Sequence, residues 1–92
     1  MYRYIDIEKS EDGSEFVKIS YGVSNANEIM NILKENYFAE ITNNKEDNLI
    51  KAKYAGTKNI HDGKAKSALS NIDAKIHSDN KPPETFRKHF GK

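Results

Sequence analysis

The chain has no cysteine and no tryptophan, only two prolines, and only two arginines against thirteen lysines. Without cysteine there is no disulfide framework, no thiolate nucleophile and no cysteine-based zinc site. A reducing compartment suits such a chain, and a cytoplasmic location is the expectation. No apolar run nears the roughly 20 residues of a membrane span, and the opening MYRYIDIEKSEDG lacks the charged-then-apolar order of a signal peptide. Apolar material is scarce as well. The 92 residues are 36% hydrophobic with a mean hydropathy of −0.87, and a chain of this size buries only roughly 60 to 65% of its unfolded surface. One small core is expected, with no room for a buried cofactor; a large ligand has to bind on the surface.

Charge is plentiful, and it changes sign along the chain. Residues 1–47 carry a formal −5 and residues 48–92 carry +6, which together give the near-neutral +1 of the whole. A field of that kind orients an approaching macromolecule but performs no chemistry. Asn and Ile occur ten times each, a bias that with the lysine excess points to an AT-rich genome of the kind many phages and mobile elements have.

Alternation in Tyr2-Arg3-Tyr4-Ile5-Asp6-Ile7-Glu8 predicts a half-buried strand with Ile5 and Ile7 on one face and Tyr2, Tyr4 and Asp6 on the other. Asp12-Gly13 is a hairpin signal, and Glu15–Tyr21 is the returning strand, with Val17, Ile19 and Tyr21 inward. Gly22 ends it. Ser24 or Asn25 then caps a helix over 26–37, Asn25 and Glu28 standing in capping-box spacing and Ile29, Ile32, Leu33 and Tyr37 forming the apolar stripe. The pattern repeats: a strand over 38–42, a polar turn over 43–48, a strand over 49–55, a loop over 59–63, and a helix over 64–77 with Ala65, Ala68, Leu69, Ile72 and Ile76 at core spacing. Val17–Tyr21 and Ile50–Tyr54 align at an offset of 33, which admits a duplicated unit. The predicted fold is α+β, ββαββα: a four-stranded, mainly antiparallel sheet with both helices on one face, forming one domain over 1–81 with a basic-aromatic segment over 82–92.

A sheet covered on one side leaves its other face open. That face is expected to carry Tyr2, Tyr4, Phe16, Lys18, Leu49, Lys51 and Lys53. Rings among lysines suit single-stranded nucleic acid, whose bases stack while ammonium groups meet phosphates. They suit a protein partner or a second copy equally, and also plain cross-strand packing with lysine stems lying over the rings. The second candidate surface follows Pro82-Pro83, where Phe86 and Phe90 share a helical face beside Arg87 and Lys88. These rings either close the small core as a lid or anchor a partner.

Enzymatic signals are weak. His61-Asp62 and His77-x-Asp79 place imidazole beside carboxylate without a third metal ligand at a recognisable spacing. In Gly56-Thr57-Lys58 and Gly63-Lys64-Ala65 the glycines stand too far apart for a phosphate loop, and alanine replaces the hydroxyl that holds magnesium. The acidic run Glu8, Glu11, Asp12 and Glu15 reads as a solvated turn that protects a sheet edge, or as a mimic of nucleic-acid phosphates. The expectation is a non-enzymatic binding protein acting on a protein partner as an inhibitor or adaptor, such as phages and mobile elements encode. The alternative is a single-stranded RNA or DNA binding module. Near-neutral total charge favours the first, because dedicated nucleic-acid binders are usually basic as whole domains.

Overall fold

The computed structural model describes residues 2–57 and 59–80. Its elements follow one another as β1 (Ile5–Lys9), β2 (Glu15–Ser20), α1 (Ala26–Glu35), β3 (Phe38–Asn44), β4 (Leu49–Tyr54) and α2 (Gly63–Asn80). The strands form one antiparallel sheet in the order β1-β2-β4-β3. This is the α+β, ββαββα arrangement that the periodicity predicts. Alternate strand residues Ile5, Val17, Ile19, Ile50 and Ala52 point to the helix side and join Ile29 and Leu33 of α1 and Leu69, Ile72 and Ile76 of α2 in one buried cluster.

Exchanging β1 with β3 and β2 with β4 returns the same strand order reversed, so the two ββα units sit about a pseudo-two-fold axis. The offset of 33 makes Lys18 and Lys51 equivalent, and those residues are direct partners in the β2–β4 ladder. The axis therefore passes between two lysines.

The turns have local causes. In the first hairpin the Ser10 amide donates to the Ser14 carbonyl at 2.8 Å, and Gly13 takes a φ of 89°. The Asp12 carboxylate accepts from the Ser10 hydroxyl and from the Ser14 amide; these bonds, the Ser10 hydroxyl foremost, lower its pKa from the ordinary 3.8 to about 2. Gly22 follows β2 with a φ of 58°, pressed against the side chain of Asn80. There the Asn80 amide oxygen accepts from the Val23 amide, and its nitrogen donates to the Ile76 carbonyl at 2.8 Å. The end of α2 is thereby tied to the end of β2.

Asn25, not Ser24, caps α1: its oxygen accepts from the amides of Asn27 and Glu28. The reciprocal half of the capping box is not made, because the Glu28 carboxylate pairs with Lys75 of α2 at 2.8 Å. Ser24 is buried, and its hydroxyl has no partner among the described residues. α1 stops two residues before the predicted end. Asn36 is its C-cap, and Tyr37 takes a φ of 68° with 56% of its surface exposed, so it lies outside the apolar stripe. α2 extends three residues past the expected His77, its last turn held by the Asn80 bonds.

Candidate functional site

Register and alternation define the uncovered face. Three rows cross it: Glu8, Phe16, Lys53 and Ala39; then Asp6, Lys18, Lys51 and Thr42; then Ser20, Leu49 and Asn44. Four of the expected site residues, Phe16, Lys18, Lys51 and Lys53, are thus brought together on adjoining central strands. Phe16 is half-buried and Lys51 is exposed. Lys18 and Lys51 stand directly opposite each other, an arrangement that costs stability unless countercharge is near. Glu8 supplies it on one side, pairing with Lys18 at 2.9 Å. Glu40, in a β-bulge between Ala39 and Thr42, approaches Lys53 at 3.8 Å. Lys51 has no ion pair among the described residues. Among the described residues the face carries an acidic stripe on β1 and a basic stripe on β2 and β4, with one aromatic ring, Phe16, between them.

Tyr2 and Tyr4 are not on this face. Parity alone puts them there, but β1 begins only at Ile5, and the preceding residues bend toward α2. The cause is Asp73. One carboxylate oxygen accepts from the amides of Arg3 and Tyr4 at 2.9 and 2.8 Å, turning the chain before alternation can set in. Tyr4 then lies against His77, its hydroxyl 3.4 Å from Nδ1, and Tyr2 packs against the edge of the core. Phe86, Arg87, Lys88 and Phe90 lie outside the described residues.

Two surfaces were not anticipated. A groove of about 860 Å³ runs between β1 and α2, lined by Ile5, Asp6 and Ile7 on one wall and by Lys66, Ser70 and Ala74 on the other. At Ile7 and His61 it meets a second groove of about 530 Å³ along Glu8 and Lys9. The sequence signal for it was the i, i+4, i+8 spacing of Lys66, Ser70 and Ala74, a second helix stripe beside the core stripe. At the same end of the sheet, Tyr37 and Tyr54 border a cavity of about 420 Å³ at the start of α2, with the Lys64 ammonium 5.8 Å from the Tyr37 ring centre.

The histidine motifs do not form a chemical constellation. His61 is exposed in the loop before α2, and His77 is engaged with Tyr4. Among the described residues no three His, Cys, Asp or Glu side chains are grouped to hold a metal ion, and no helix is long and apolar enough to cross a membrane. Comparison of the chain with protein-family models, with curated proteins and with solved structures finds no match.

Proposed function

We propose that this protein is a small non-enzymatic binding module whose ligand is another protein, engaged through the open sheet face, and that it acts as an inhibitor or adaptor. One observation carries the reading: Phe16 sits among Lys18, Lys51 and Lys53 on one side and Asp6 and Glu8 on the other. A surface carrying stripes of both signs around a ring complements a protein surface of opposite pattern, and such complementarity fixes orientation and speeds encounter. A polyanion meets the acidic stripe as repulsion. The nucleic-acid reading is supported by the opposed Lys18 and Lys51, but with Tyr2 and Tyr4 turned toward α2 it retains, among the described residues, a single stacking ring on this face.

Affinity capture from nuclease-treated cell extract, with wild-type protein beside Phe16→Glu and Lys51→Glu, tests the proposal. The expected result is a protein retained by the wild type after nuclease treatment and lost with both variants, while circular dichroism shows all three folded. A partner that disappears on nuclease treatment, together with single-stranded RNA or DNA binding that weakens steeply between about 50 and about 200 mM salt, would replace this reading with the nucleic-acid one.

A further inference from the structure

β1 is an edge strand, and its free side is poised for pairing. The Ser20 amide donates to the Tyr4 carbonyl, and the Ser10 amide donates to the Ser14 carbonyl at the other end of the ladder. In an antiparallel pair the bonded residues alternate, so Asp6 and Glu8 exchange bonds with Lys18 and Phe16, whereas the N–H and C=O groups of Ile5, Ile7 and Lys9 point away from the sheet. Among the described residues those outward groups have no hydrogen-bond partner. They open onto the two joined grooves, which together follow β1 from Tyr2 to Lys9 and are bounded by α2 and by Thr57, Asn59 and His61. Ile7 stands at the junction and is only half-buried, although its side chain faces the core side.

The geometry points to strand addition: we infer that an extended segment of a partner protein binds along β1 as a fifth strand, with a basic-apolar-basic alternation. The backbone supplies the bonds, and alternation supplies the selectivity. A residue of the added strand opposite Ile7 points to the helix side and completes the burial of that side chain against the groove. Its neighbours on either side point to the open face, beside Asp6 and Glu8. Lysine or arginine at those two positions meets opposite charge across the strand. Asp6 has no ion pair among the described residues to compete with it.

Charge also disfavours a second copy as the occupant. Two β1 strands can pair antiparallel through their outward groups only in registers that set Ile5, Ile7 or Lys9 opposite one another. The three registers with the greatest overlap place Asp6 against Asp6, Asp6 against Glu8, or Glu8 against Glu8, and like charges directly opposite are destabilising. Edge strands commonly carry charge to discourage self-pairing. Here the same carboxylates discourage a copy and attract a basic strand.

This inference deepens the protein-binding reading and rests on it. The probe is a seven-residue peptide of alternating Lys and Val, blocked at both ends and labelled with fluorescein, titrated into the full chain. Three results are expected. The Asp6→Asn, Glu8→Gln double variant weakens binding at least tenfold, a Glu-Val peptide does not bind, and amide exchange at Ile5, Ile7 and Lys9 slows at least tenfold at saturation. N-methylation of the peptide amides that face β1 abolishes the protection. Binding that survives N-methylation, protection confined to other strands, or no binding at millimolar peptide overturns the inference. So does slow exchange of those three amides in the free chain, since the groove is then already filled. Partner capture that depends on Phe16 and Lys51 can persist through any of these outcomes, so the two readings fail separately.

Discussion

At the scale of single residues, Gly22 tolerates a side chain poorly. Its φ of 58° is strained for any residue with a side chain, and a methyl group there would strike the Asn80 amide that ties α2 to β2. Gly22→Ala is expected to lower stability by about 1 to 3 kcal/mol, read as a drop in urea midpoint with unchanged slope. Asp12 makes the opposite kind of statement, about pH. Its pKa is held at about 2 by the Ser10 hydroxyl and the Ser14 amide, below its ordinary value of 3.8. Its contribution to folding is therefore complete above about pH 4 and is lost as pH falls toward 2. A carboxyl NMR titration should place the Asp12 midpoint near 2 in the wild type and move it back toward 3.8 in Ser10→Ala. Neither feature was fully legible in the sequence. Asp12-Gly13 announced its turn, but the need for Gly22 comes from Asn80, 58 positions away, and no local pattern carries that distance.

Elements were easier to read than their ends. Every strand and both helices follow from apolar spacing, because burial against one core enforces the two periods along the whole of each element. Ends depend on particular atoms. Tyr37 reads as the last member of the α1 stripe, yet the helix ends at its C-cap Asn36 and Tyr37 itself takes the left-handed conformation. Tyr2 and Tyr4 read as part of an alternation that Asp73 breaks, and this cost the expected site two of its rings. Ile60, a lone apolar residue in a polar loop, is fully buried; nothing periodic surrounds it, so periodicity cannot find it. Two substitutions probe the elements directly. Asn25→Ala removes the oxygen that caps α1 and is expected to cost about 1 kcal/mol, seen as a fall of about 4 to 8 °C in Tm. Ile72→Ala, at a position with no exposed surface, should cost about 2 to 5 kcal/mol and bring the domain close to unfolding in water, measured by urea titration.

At the scale of the whole molecule, the charge reversal along the chain does not separate into two charged lobes among the described residues. The strand order inserts β4, from the basic half, between β2 and β3 of the acidic half. Ion pairs then cross between the halves: Lys53 meets Glu40, and Lys75 meets Glu28 while also reaching Asp79 of its own helix. The Glu28 contact, above all, raises the Lys75 pKa. A further +3 of the basic half's charge lies in 81–92, outside the described residues. The asymmetry that remains among the described residues is the pair of stripes on the open face, a few ångströms apart, which acts at contact range under physiological salt. Raising salt from about 50 to about 500 mM is expected to slow association with a protein partner more than it speeds dissociation, a stopped-flow measurement.

The pseudo-two-fold order has a bearing on how the chain reaches its shape. Each hairpin and each helix is assembled from neighbours, but the ladder between β2 and β4 pairs Ser20 with Leu49 and Phe16 with Lys53, and it joins the two units at the centre of the sheet. Closing such long loops carries an entropic cost that the local elements do not share. Closure of this ladder is therefore the step expected to limit folding speed. A weakened centre, as in Ala52→Gly, is expected to slow the folding limb of a chevron plot, and loss of a methyl at the periphery, as in Ile5→Val, is expected chiefly to quicken unfolding. The symmetry axis between Lys18 and Lys51 lies in that ladder, so the strand pairings that join the two ββα units are also the pairings of the sheet most distant in sequence.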